Sequence, residues 1–112
     1  MAKDMQISLL LGYYGELLSN KQKKVAESYY FDDLSLAEIA ENTGTTRQAV
    51  LDNIRHAEQK LKKLEDTLGF ASKMIKIAAL AEELQTLSDN ERVARISAEL
   101  TEIAGWEDTN GI

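Results

Sequence analysis

Ser35 and Glu38 stand three residues apart at the head of an apolar-periodic run, and this spacing constrains the fold more than any other feature of the chain. It is a capping box: the serine hydroxyl accepts from one orphan amide of a helix start and the carboxylate reaches back to another. Leu36, Ile39 and Ala40 then give one apolar stripe over two turns. Gly44 falls where this short helix must stop and the chain must turn through a positive φ, which glycine does without a Cβ penalty. Thr45 and Gln48 repeat the spacing and predict a second box opening the next helix from Thr46. Two capped helices joined by a glycine turn, with stripes that face each other, form a helix-turn-helix. That unit sets one helix across a nucleic-acid backbone and the next in the groove.

The flanking sequence supplies a closed core. Ile7 to Leu18 carries Leu10, Leu11, Tyr13, Tyr14, Leu17 and Leu18 in a short helical pattern interrupted by Gly12 and Gly15. Ser19 and Gln22 make a further capping box, and the helix behind it presents Val25, Ala26, Tyr29 and Tyr30 on one face until Asp32 and Asp33 end it. The second helix of the pair runs on: Val50, Ile54, Ala57, Leu61, Leu64 and Leu68 alternate steps of four and three. From Thr46 to Leu68 it spans about 34 Å, longer than groove reading needs. Gly69 ends it. Met74, Ile77, Ala81 and Leu84 continue the periodicity, and Ser88 with Glu91 predicts a fourth box ahead of Val93, Ile96, Leu100 and Ile103. Gly105 to Ile112 reads as a loose terminus from which Trp106 docks back. The expected fold is all-α, a three-helix core with a long second helix of the helix-turn-helix pair and additional C-terminal helices. Residues 1–70 form the helix-turn-helix domain and residues 71–112 a helical extension that packs or dimerises.

The absence of proline agrees with an all-helical chain. With no cysteine there is no disulfide framework and no thiolate metal site, and a reducing cytoplasm is the expected compartment. The apolar run Ile7 to Leu11 is too short for a membrane span. A net charge of −6 is the wrong sign for a protein that lives by phosphate contacts. Its distribution matters more. Residues 45–63 carry five Lys/Arg against two acids, a net of +3, whereas residues 64–112 carry four against ten, a net of −6. A mildly basic helix beside an acidic extension permits salt-sensitive nucleic-acid binding.

The stretch YYFDDLSLAEIAENTGTTRQAVLDNIRHAE, with LLSNKQKKVAESYY ahead of it, resembles the YlxM family of small bacterial proteins over about residues 7–68. Its specific parts are the Tyr-Tyr-x-Asp-Asp-Leu-Ser-Leu and Arg-Gln-Ala-Val-x-Asp-Asn-Ile runs. It is similar, more distantly, to the fourth conserved region of bacterial sigma factors, so the implied core is sigma region 4-like. The resemblance implies a DNA-binding regulator. It also implies a part in the signal recognition particle pathway, beside whose two GTPase genes members are usually encoded. Leu51 stands where relatives often carry an aromatic residue and His56 where a basic one is common.

If Val50, Ile54 and Ala57 face inward, the outward face carries Arg47, Gln48, Leu51, Asp52 and Arg55, with Lys62 further along. Thr45 and Thr46 offer hydroxyls at the helix start, where a phosphate is welcome. Arg47 suits guanine, Gln48 adenine and Leu51 a protein partner or a thymine methyl, while Arg55 is placed for backbone phosphate. Asp52 repels phosphate unless it accepts from a cytosine amine or, more simply, pairs with Arg55 at i, i+3. Asn53 flanks the buried stripe and is expected to bond a neighbouring helix, and Tyr29 and Tyr30 are expected in the core. Nothing supports catalysis, a cofactor or a metal. His56 is the sole histidine with no nucleophile spaced around it, the Asp32-Asp33 and Glu82-Glu83 pairs diverge on a helix, and no glycine-rich phosphate loop occurs. The expected partners are DNA or RNA, signal recognition particle components and a second copy of the chain. In an alternative reading the chain is an adaptor whose acidic helices, through Glu82, Glu83, Glu91 and Glu99, dock a basic protein of that particle.

Overall fold

Local chemistry starts each helix where an orphan amide finds a side-chain acceptor. The computed structural model describes residues 3–105 and contains, among them, six α-helices and no strand. In chain order they are α1 (Met5–Tyr14), α2 (Asn20–Tyr30), α3 (Leu36–Thr43), α4 (Arg47–Leu68), α5 (Phe70–Leu87) and α6 (Glu91–Ile103), with a 3-10 turn at Gly15–Leu17. Trp106, expected to dock, lies outside the described residues.

Asp4 caps α1 by accepting from the Gln6 amide at 2.9 Å. The expected boxes at Ser19/Gln22 and Ser35/Glu38 are present with both reciprocal bonds, opening α2 and α3. Gly12 does not interrupt α1, which continues to Tyr14 before the chain tightens at Gly15. The cap of α6 is Asn90, which accepts from the Arg92 amide at 2.8 Å, while Ser88 accepts from Asn90 itself. The expected cap at Ser88 is corrected to Asn90, which directly precedes the helix and reaches the amide of its second residue.

The described chain divides into two units, one ending at Leu68 and the other beginning at Gly69. In the first, α4 is the spine, packed against α1, α2 and α3. Val50, Ile54, Ala57 and Leu61 are buried along it, Leu64 is half-buried and Leu68 is exposed. Ile7, Leu10, Leu11 and Tyr14 of α1, Val25 and Ala26 of α2, and Ile39 and Ala40 of α3 complete this core. The far end of α4 is therefore accounted for within its own unit: the Tyr14 hydroxyl donates to Glu65, tying the end of α1 to the last turns of α4. Burying four apolar side chains of α1, at roughly 1.5–3 kcal/mol each for the larger ones, makes α1 an integral part of the domain.

The second unit is a helical hairpin in which α5 packs on α6. Its buried positions are Ala71, Ala78 and Ala81 on α5 and Ser97 on α6, with Ala104 just beyond. The periodic set Met74, Ile77, Ala81 and Leu84 does not form one seam. Ile77 and Leu84 are exposed, as are Ile96 and Ile103 of α6, because small residues supply the close approach between the two helices.

Candidate nucleic-acid interface

The site is built on the joint between α3 and α4. Val25, Ile39, Ala40, Val50 and Ile54 form one buried cluster, and Tyr29, Tyr30, Leu34 and Leu36 pack against it. The cluster takes side chains from α2, α3 and α4, so the crossing of the two helices is fixed from below by a third. The rings of Tyr29 and Tyr30 meet edge to face with centroids 5.1 Å apart, and the Tyr30 hydroxyl donates to Glu58 of α4 at 2.8 Å. Burial, then the hydrogen bond to Glu58, pushes the Tyr30 phenol well above its usual value and keeps it a donor. Both tyrosines thus serve the core.

The turn closes as a Schellman motif. Gly44 sits at φ +66°, its amide bonds back to Glu41 at 3.4 Å, and the Thr45 amide bonds to the Ala40 carbonyl at 3.0 Å. Thr43 donates to the Ile39 carbonyl at 2.8 Å, which makes Thr45 the donor in the 2.8 Å contact between the two threonine hydroxyls. Thr45 is consumed in finishing α3. The cap of α4 falls to Thr46, whose hydroxyl accepts from the Ala49 amide at 3.0 Å and whose carbonyl accepts from Val50. The predicted Thr45/Gln48 box is corrected by one residue, and with alanine at the reach-back position no carboxylate or amide completes it.

The residues read from sequence as the binding face occupy one end of α4. Thr45, Thr46, Arg47, Gln48 and Arg55 are exposed, and Leu51 is half-buried beside them. The buried row Val50, Ile54, Ala57 and Leu61 leaves Gln48, Asp52 and Arg55 on the opposite side, as 100° per residue requires. Asp52 accepts from the Gln48 side chain at 3.0 Å, one turn back, instead of pairing with Arg55. This bond lays the Gln48 amide along the helix and partly neutralises the dipole demand of the carboxylate, but leaves its charge on the face. Arg47 and Arg55 form no ion pair among the described residues, where the ion pairs are Lys3–Asp33 and Lys23–Glu16. Arg47 stands at the start of α4 and Arg55 more than two turns further along, and each guanidinium has a fork geometry that fits phosphate or a guanine edge. Asn53 bonds the Ala49 carbonyl of its own helix at 3.1 Å, not a neighbouring helix.

Beside Lys62, named from the sequence, Lys60 and Lys63 are exposed along the same helix, three residues apart. Their spacing was the available signal. They extend positive charge for two more turns past Arg55. Among the described residues no helix is long and apolar enough to cross a membrane.

Residues 1–102 match a family described as "Putative helix-turn-helix protein, YlxM / p13 like", UPF0122. The chain is 43% identical over 88 residues to a UPF0122 protein of Symbiobacterium thermophilum, covering 78% of this chain and 82% of that one. It is 43% identical over 83 residues to one of Listeria welshimeri, covering 74% and 76%. A UPF0122 protein of Desulforamulus reducens is 52% identical over 68 residues, 61% of this chain and 58% of the relative.

Proposed function

Since the chain belongs to the UPF0122, YlxM/p13-like helix-turn-helix family, we propose that it is a nucleic-acid-binding regulatory protein that reads its ligand with the amino end of α4. One observation carries this reading. The end of α4 that α2 and α3 hold rigidly in place is also where Arg47 and Arg55 stand exposed with no acidic partner among the described residues. Thr46 and Arg47 lie against backbone phosphate or the first base edge, Leu51 against an apolar edge such as a thymine methyl, and Arg55 against phosphate. Gln48 reaches a base only by leaving Asp52. The resemblance to proteins encoded beside the signal recognition particle GTPases supports a role in that pathway, in the cytoplasm, and a homodimer supplies two reading helices related by a two-fold axis.

A fluorescence-anisotropy titration tests this reading, using signal recognition particle RNA and mixed-sequence duplex DNA at low and physiological salt, with Arg47→Glu as the control. Binding to one ligand that survives physiological salt and weakens in the variant supports the reading and names the ligand class. Weak binding to both that vanishes with salt and ignores Arg47 sinks it. The second reading, an adaptor for a basic protein, is favoured by the exposure of Glu82, Glu83, Glu91 and Glu99 on the hairpin. It predicts salt-sensitive docking to a particle protein that reversing these four glutamates abolishes.

A further inference from the structure

The hairpin has its large and small residues on unexpected sides. Ala71, Ala78, Ala81 and Ser97 occupy the buried contact, while Phe70, Ile77, Leu80, Leu84 and Leu87 of α5 are 38–74% exposed. Taken with Lys73, those exposed residues step 3, 4, 3, 4, 3 from 70 to 87, the seam of a helix that packs on another helix. At 100° per residue this stripe is centred roughly a third of a turn round α5 from the alanine stripe. A helix with two distinct packing faces has room for two neighbours, as each helix of a four-helix bundle does. The hairpin provides two of the four helices.

The charges select the missing pair. Lys76 and Glu83 flank the seam on the side away from Ala81, seven residues apart, both exposed, and neither ion pair among the described residues involves them. Placing α5 antiparallel to another α5, with the two-fold axis between Ile77 and Leu80, sets Ile77 against Leu80, Phe70 against Leu87 and the aliphatic stem of Lys73 against Leu84 across the axis. The same register sets Lys76 of each copy against Glu83 of the other, twice by symmetry. A lysine in the amino half and a glutamate in the carboxyl half is the arrangement an antiparallel self-pairing needs.

We propose that α5 packs antiparallel on α5 of a second copy of this chain, through Phe70, Ile77, Leu80, Leu84 and Leu87, with reciprocal Lys76–Glu83 ion pairs fixing the register. This gives a surface and a register to the homodimer put forward above, and does not depend on what α4 binds. The test uses sedimentation equilibrium on the full chain. Lys76→Glu alone sets glutamate against glutamate twice, and Glu83→Lys alone sets lysine against lysine twice, so each variant weakens its own dimer about tenfold or more. Mixed in equal amounts the two variants meet with opposite charges at both positions and recover wild-type association. Along one helix the two residues are about 10.5 Å apart, beyond direct pairing, so a purely intramolecular role cannot produce recovery on mixing. Recovery on mixing supports the interface. A wild-type dimer whose single variants associate normally overturns this interface but leaves a dimer, and a monomeric wild type overturns both. Anisotropy titration of the same variants reports separately on nucleic-acid binding, whose loss or absence does not bear on the register.

Discussion

The Tyr30 hydroxyl donates to the Glu58 carboxylate at 2.8 Å, joining the last turn of α2 to the middle of α4 on the side away from the exposed face. The bond orients α4 about its own axis, because Glu58 stands one turn beyond Ile54 and must point back toward α2 for the contact to form. Rotation of α4 would carry Arg47 and Arg55 with it, so this half-buried pair helps to aim the candidate interface.

Tyr30→Phe removes the donor and leaves a partly desolvated carboxylate, which lowers stability by about 1 kcal/mol in urea denaturation. The pH dependence has a definite sign. The folded protein raises the Tyr30 pKa above its ordinary value of 10.0, so the stability it contributes is fully present below that value and is lost as pH rises beyond it. Wild-type protein loses stability more steeply than Tyr30→Phe on the alkaline side of pH 10.0. Parallel alkaline profiles for the two proteins would show that the phenol proton is not linked to folding.

On the acid side, the Ser35 amide, then the Ser35 hydroxyl, holds the Glu38 carboxyl below its usual value of 4.5. The stabilisation it provides is present above that value and disappears as pH falls through the depressed one. Glu38→Gln retains an acceptor at every pH and should flatten this part of the stability profile. Ser35→Ala keeps the amide that donates to Glu38 but removes the hydroxyl that accepts from the Glu38 amide, and costs about 1 kcal/mol at neutral pH by thermal unfolding.

The cap of α4 can be located by two substitutions. Thr46→Ala removes the acceptor for the Ala49 amide and costs about 1 kcal/mol, while Thr45→Ala removes only the contact to the Thr43 hydroxyl and costs less. The reverse order would return the cap to Thr45. Gly44→Ala costs about 1–2 kcal/mol for its positive φ alone, since a Cβ built there meets nothing within 4 Å.

Most of the first unit was legible because its signals are local. A serine three residues before glutamate or glutamine, followed at once by apolar residues, leaves little choice about where α2 and α3 begin. At Thr45-Thr46 the capping signal is degenerate, and the end of the preceding helix decides: the Thr45 amide closes α3 onto Ala40, and the next residue caps α4. Asp52 had two partners within reach, Gln48 at i−4 and Arg55 at i+3, and spacing alone does not rank them. The hairpin was misread for a geometric reason. Its heptad-like set mixes two stripes roughly a third of a turn apart, and a stripe of alanines carries too little hydrophobicity to announce itself as the buried one. The binding-face residues were legible as exposed positions opposite a clear core row, whereas the engagement of Gln48 with Asp52 was not.

That engagement leads to the sharpest prediction for the interface. Asp52 carries a negative charge at the centre of a face flanked by Arg47 and Arg55, and its oxygen holds the Gln48 amide away from the ligand. Asp52→Asn keeps the shape and removes the charge. If Arg47 and Arg55 contact phosphate, the variant binds nucleic acid more tightly by about 1 kcal/mol, the lower end of the range for a single contact. Because charge has been added in net terms, its affinity also falls more steeply with salt than wild type. An anisotropy titration over a salt series measures both quantities. Tighter binding with a steeper slope identifies Asp52 as a brake on the affinity of this face. Weaker binding confined to particular sequences would instead make Asp52 a reader of a cytosine amine, the one base edge in the major groove that suits a carboxylate. No change on any ligand would move the interface away from this side of α4.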